Sequence, residues 1–190
     1  MRGQAPRAQQ TEPKGEEPEG SLDEGRFELL FRECAGDLHG YAISLLGDRS
    51  AAEDVTALAF ERLYSSRAKL DARRGTPRAW LFAIARNACL DELRRRGRRP
   101  QDELRDELIQ DRGACEAFEQ LERRATVRSA LSALPLRERE IVLLKFHGQL
   151  SNAELARALG VSTSNAATRL HRALTKLRLQ SADIDCQEVA

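Results

Sequence analysis

Residues 151–160, SNAELARALG, constrain the fold more tightly than any other stretch of the chain. Ser151 and Glu154 have the Ser-x-x-Glu spacing in which a hydroxyl caps a helix start while the carboxylate accepts the cap's own N–H. Leu155, Ala156 and Leu159 then face inward, and Gly160 is free to take the left-handed conformation that turns the chain. Ala156 is small enough for a second helix to cross closely, and Val161 fills the corner. The spacing predicts a helix-turn-helix over 151–174.

Its second helix, capped by Ser162 or Ser164, gathers Ala166, Ala167, Leu170, Leu174 and Leu177 on one arc at about 100° per residue. Asn165, Thr168, Arg169, Arg172, Thr175 and Lys176 fill the opposite arc, with no acid among them. An ordinary helical hairpin accounts for the apolar arc; the polar one is a set of donors for phosphates and base edges. In the general repressor-type pattern an apolar residue stands where this chain has Arg169, whereas the anchor here is Leu170.

Helical periodicity runs through the rest of the chain. Phe27, Leu30, Phe31, Cys34, Leu38, Tyr41, Ala42 and Leu45 form one stripe, ended by Gly47-Asp48. Ser50-Ala51-Ala52-Glu53 has the form of a second capping box, and Val55, Leu58, Ala59 and Leu63 carry a helix to about Ser66. Thr76-Pro77 starts a third helix, with AWLFAIA (79–85) apolar all round and Trp80 assigned to the core rather than to a base stack. That helix emerges as the basic run 86–99 and stops at Pro100. Phe118, Leu121, Val127, Leu131 and Leu134 resume the pattern, Pro135 opens another helix, and Gly148 stands where a C-terminal cap is expected.

An all-α fold follows: two small helical domains, 26–99 and 117–179, joined by an acidic linker over 100–116. Residues 1–25 hold six acids, three prolines and four glycines but one leucine and no aromatic, so a disordered acidic tail is expected there. A second tail is expected over 180–190.

The net charge of +1 hides segregation. Eleven Arg and Lys face three acids over 67–99, eight acids face two arginines over 101–122, and six bases face one acid over 145–178. Two basic blocks around an acidic one fit two polyanion-binding surfaces better than one enzyme surface. The four cysteines form no Cys-x-x-Cys and do not cluster with the three histidines, so no metal site or disulfide framework is expected. No phosphate-binding glycine loop or nucleophile elbow is present, and adjacent Glu53 and Asp54 diverge on a helix; no catalytic residue, cofactor or enzymatic activity is expected. Without a signal peptide or membrane-length apolar run, the expected location is the cytoplasm.

The segments LSNAELARALGVSTSNAATRLHRALTKLR (150–178) and, before it, ALSALPLREREIVLLKFHGQ (130–149) resemble region 4 of bacterial sigma-70 family sigma factors, in which the apolar anchor is shifted in the same way. AAEDVTALAFERLY (51–64) resembles the core-polymerase-binding helix of region 2, and RGTPRAWLFAIARNACLDELRRR (74–96) its −10 element segment. With only these two regions and a linker, the chain resembles the compact extracytoplasmic-function (ECF) group. The resemblance implies an alternative sigma factor that binds core RNA polymerase and promoter DNA as a monomer within the holoenzyme, without membrane insertion, and leaves room for an anti-sigma factor. It assigns −35 contacts to Ser164, Asn165, Thr168, Arg169, Arg172 and Lys176, and −10 contacts to Arg73, Arg74, Arg86, Asn87, Arg94, Arg95 and Arg96. Glu53, Asp54, Phe60 and Glu61 take polymerase binding. Ala57-Leu58 stands where the family commonly has a Gln-acid pair, and Ser164–Thr168 where it often reads Gly-Thr-Val-x-Ser, so the preferred −35 sequence does not transfer. The alternative is a stand-alone helix-turn-helix regulator with 26–99 as a sensor or dimerisation domain, which does not require the Arg-rich second block.

Overall fold

The computed structural model describes residues 22–67, 70, 75–97 and 118–187. The helices among them are α1 (Glu24–Leu46), α2 (Arg49–Ser66), α3 (Pro77–Gly97), α4 (Phe118–Ala133), α5 (Leu136–Phe146), α6 (Asn152–Leu159) and α7 (Thr163–Gln187), with no strand among the described residues. The linker expected over 100–116 lies outside them, as do Arg73 and Arg74. Described structure reaches into both segments expected as tails, the rest of which lies outside the described residues. Leu22 is buried, Asp23 caps α1 by accepting from Arg26 N, and α7 continues to Gln187.

α1, α2 and α3 form an up-down-up bundle. Phe27 at the start of α1 meets Tyr64 at the end of α2, ring centroids 5.0 Å apart, while Arg96 at the end of α3 reaches back to Asp48 at the α1–α2 turn. The α1 stripe delivers Cys34, Leu38, Tyr41, Ala42 and Leu45 to the core, where Tyr41 meets Phe82 edge-on at 5.7 Å. Leu38, Leu63, Leu81 and Phe82 are fully buried, each contributing about 1.5–3 kcal/mol. Trp80 is half-buried against this core, as its setting in AWLFAIA predicts.

The cap of α2 differs from expectation. Asp48, in extended conformation, accepts from Ala51 N at 2.9 Å, so Ser50 lies inside the helix. An aspartate directly after the left-handed Gly47 reaches the free N–H groups two residues before the Ser-x-x-Glu pattern can act.

The second bundle is α4–α7. Leu134, Ile141, Leu144, Leu150, Leu155, Ala166 and Ala173 fill its centre. Ser151 and Glu154 close the capping box reciprocally, and Gly160 turns the chain at φ +67. Gly148 departs from its expected role: it has no positive φ, and the left-handed residue of this turn is Gln149 at φ +54. What Gly148 supplies is closeness. A Cβ there would overlap the Leu144 carbonyl oxygen and press on Leu150 and on Phe82 of α3.

The two bundles meet through that turn. The His147 ring lies over Gly40 of α1, and Arg78 at the start of α3 donates through Nε to the Gly148 carbonyl at 2.7 Å and through Nη2 to the His147 carbonyl at 2.7 Å.

Candidate nucleic-acid interface

The −35 candidates on α7 present one face. Ser162 caps the helix, accepting from Asn165 N at 3.3 Å, while Ala166, Leu170 and Ala173 bury the inner arc. Ser164, Asn165, Thr168, Arg169 and Arg172 are exposed, and among the described residues Arg169 and Arg172 form no ion pair. Lys176 is different: its Nζ lies 2.5 Å from Glu138 Oε1 of α5, so its charge is already answered within the domain.

The −10 candidates are more divided. Asn87 is exposed. Arg86 is turned inward, where it forms an ion pair with Glu140 of α5; the side chains are only 19% and 5% exposed. This contact is ionic rather than a linear hydrogen bond, since the Arg86 Nε and Glu140 Oε1 atoms find no hydrogen-bond geometry. The run Arg94–Arg96 carries less free charge than its sequence suggests. Arg94 pairs with Asp91, Arg95 holds both oxygens of Glu92, and Arg96 bridges Glu92 to Asp48. Arg95 and then Arg96 hydrogen bonds outweigh burial and hold the Glu92 carboxyl at about 2, so these pairs stay ionised at neutral pH.

On α2, Glu53, Asp54 and Glu61 are exposed, with Glu53 paired to Arg49. Asp54 lines a groove between α2 and α3 with Leu58, Arg62, Glu92 and Arg95. Phe60 does not belong to this edge. It is 5% exposed and meets Phe27 of α1 edge-on and Phe31 at a tilt, so its periodicity marks core.

Sequence reasoning missed a set of residues that joins the two basic surfaces. Glu154 Oε1 accepts from the Thr76 hydroxyl at 2.7 Å and lies 3.4 Å from Thr76 N, at the start of α3, while its other oxygen accepts from Ser151. Burial pushes the Glu154 carboxyl up, but the hydrogen bonds from Thr76 and Ser151 win and hold it at about 2. Arg78 also pairs with Asp37 and donates to Cys34 Sγ at 3.1 Å. Contacts across 41–78 residues leave no periodicity to read. One signal was nevertheless visible: Glu154 is the one acid of the 145–178 block.

This seam responds to pH. Burial lowers the His147 pKa, against the pull of Asp37, so the neutral ring fits the closed arrangement and protonation opposes it. Of the bonds that lower Glu154 from 4.5 to about 2, those from Ser151 belong to its own capping box and persist on opening, whereas those from Thr76 favour closure and are lost as pH falls below the ordinary carboxylate range. Both act in the same direction. Small-angle scattering is expected to show a radius of gyration that grows as pH falls below about 6.5, and again below about 4.5.

Fold and surface together define two small helical bundles, the second carrying a helix whose exposed arc from Ser164 to Lys176 holds no acid. The Sigma-70 region 2 model matches residues 30–99 and the Sigma-70, region 4 model residues 124–177. The ECF RNA polymerase sigma factor SigL of Mycobacterium tuberculosis is 29% identical over 151 residues, which cover 79% of this chain and 85% of that protein. The ECF RNA polymerase sigma factor SigW of Bacillus subtilis is 28% identical over 153 residues, covering 74% and 80%. CnrH, solved in complex with the cytosolic domain of CnrY, superposes with a TM-score of 0.60 at 26% identity, covering 86% of this chain and 90% of that one. The sigma factor RpoE of Bartonella quintana, solved with the anti-sigma factor NepR, shares the fold with a TM-score of 0.65 at 22% identity, covering 81% and 95%. The chain belongs to the ECF group of the sigma-70 family of RNA polymerase sigma factors.

Proposed function

We propose that this alternative sigma factor reads the −35 element with the first turns of α7 and the −10 element with α3 and the loop before it. Ser164 and Asn165 face base edges, and Arg169 and Arg172 neutralise phosphates. Asn87 and the start of α3 address the −10 strand, with Arg73 and Arg74 in the loop before it. Glu53, Asp54 and Glu61 form the polar edge of α2 that core polymerase contacts. The protein works in the cytoplasm without catalysing a reaction itself, and an anti-sigma factor is among its partners, as NepR is for RpoE.

The observation that carries this reading is the acid-free outer arc of α7, exposed from Ser164 to Arg172 on a helix whose inner arc is buried. Run-off transcription with purified core polymerase on a genomic promoter library tests it: defined new start sites are expected only when the protein is added. Unchanged initiation together with tight binding of free duplex DNA overturns it. Arg172→Ala in the holoenzyme is expected to weaken −35-dependent promoters and to lower the log–log salt slope by about 0.9, with polymerase binding intact.

A further inference from the structure

Two donor sites along α3, one at its start and one near its middle, are occupied by carboxylates from the other domain. Glu154 sits on the hydroxyl and N–H of Thr76, and Glu140 sits on Arg86. Glu140 is the one buried charged residue among the described residues, and Glu154 is the one acid in its basic block. A carboxylate offers what a phosphate offers: a negative charge and acceptor oxygens without a donor.

This arrangement cannot hold a promoter. Ser164 lies ten residues from Glu154, so even a fully extended chain places it no more than about 35 Å from Glu154 and the Thr76 contact. The −35 and −10 elements lie about 25 base pairs apart, roughly 85 Å of B-form DNA. Engagement of both elements requires the seam to part, and parting it frees Thr76 and Arg86.

We propose that Thr76 and Arg86, about 15 Å apart along α3, are two contact points of one phosphate seat for the −10 strand, and that Glu154 and Glu140 fill them in the free chain until DNA displaces them. The proposal rests on the promoter reading above and adds a competition to it. Arg86 then has two partners in succession, which reconciles its place in the −10 segment with its burial. The Thr76 N–H serves the same exchange, because an anion is favoured at a helix N-terminus whichever chain supplies it.

The test uses the full chain, a fluorescein-labelled mixed-sequence 30-nucleotide single-stranded DNA, and small-angle scattering in parallel. Glu140→Gln combined with Glu154→Gln neutralises both occupants, and Gln at position 154 retains the capping box. Gly40→Leu is a second route: it drives bulk into the His147 ring, which lies 2.9 Å from where a Cβ would stand, and leaves both carboxylates in place. Each variant is expected to open the chain and to tighten DNA binding about tenfold, the gain when a binding-competent form rises from a tenth of the population to nearly all of it. Adding Arg86→Ala to Gly40→Leu is expected to remove most of that gain. Wild-type affinity in an opened, folded Gln variant overturns the phosphate seat, and an unchanged radius of gyration in it overturns the carboxylates as the lock. Either failure leaves start-site selection by the holoenzyme, the readout for the promoter reading, untouched.

Discussion

Replacing Arg86 by alanine is expected to open the molecule. The substitution leaves the Glu140 carboxylate buried without its cation, a loss of about 3–5 kcal/mol for a broken buried pair. No neighbour replaces the charge. Burial holds Tyr41 well above its ordinary value and pushes the Cys89 thiol up to about 12, so both stay neutral beside Glu140. To stay ionised Glu140 must then reach water, and the route to water is separation of α5 from α3. Scattering is expected to show a larger radius of gyration at neutral pH, and calorimetry to show the single wild-type transition split in two. Replacing the pair together, Arg86→Met with Glu140→Leu, is expected to restore closure, because an apolar pair of similar volume needs no counter-charge. Failure of the double variant to close would show that the pair supplies more than neutralisation.

Gly148→Val is expected to lower stability by about 3 kcal/mol, which for a chain of this size lowers Tm by roughly 10 °C. The new side chain meets a backbone atom, the Leu144 carbonyl oxygen, and cannot be relieved by a rotamer change. It also meets Leu150 inside its own domain and Phe82 across the seam, both fully or almost fully buried. The damage divides accordingly. Packing of α5 against the turn is lost in any arrangement, whereas the Phe82 contact is lost only while the domains are closed. Thermal melting of an isolated 118–187 fragment beside the full chain separates the two contributions, and equal melting temperatures with and without the substitution would overturn the steric argument.

The helices were legible because their signals are local. Ser151 and Glu154, Thr76 and Pro77, and Gly160 each act within one turn of chain, and each stands where its spacing places it. The recognition face was legible for the same reason: an arc repeats every three or four residues whether or not a partner is present. The sequence was ambiguous where one residue type serves two physical ends. Phe60 on a polymerase-binding helix and a phenylalanine in a core have the same hydropathy, and only the rings of α1 around it decide. Arg94, Arg95 and Arg96 read as free charge, but acids three and four residues away on the same helix answer them. Gly148 carried a second ambiguity, because glycine marks positive φ and close approach alike, and the chain uses the second. The seam left least trace, since its pairs join residues of separate domains.

Cys34 gives the closed seam a chemical clock. Its thiol is 1% exposed beneath the Arg78 guanidinium, which is itself fastened by the carbonyls of His147 and Gly148. Burial raises its pKa, so at neutral pH the nucleophilic thiolate is scarce and the sulfur is shielded as well. Iodoacetamide can reach it only in molecules whose guanidinium has swung away. The alkylation rate at this one native sulfur, followed by mass spectrometry, thus counts opening events without an added label.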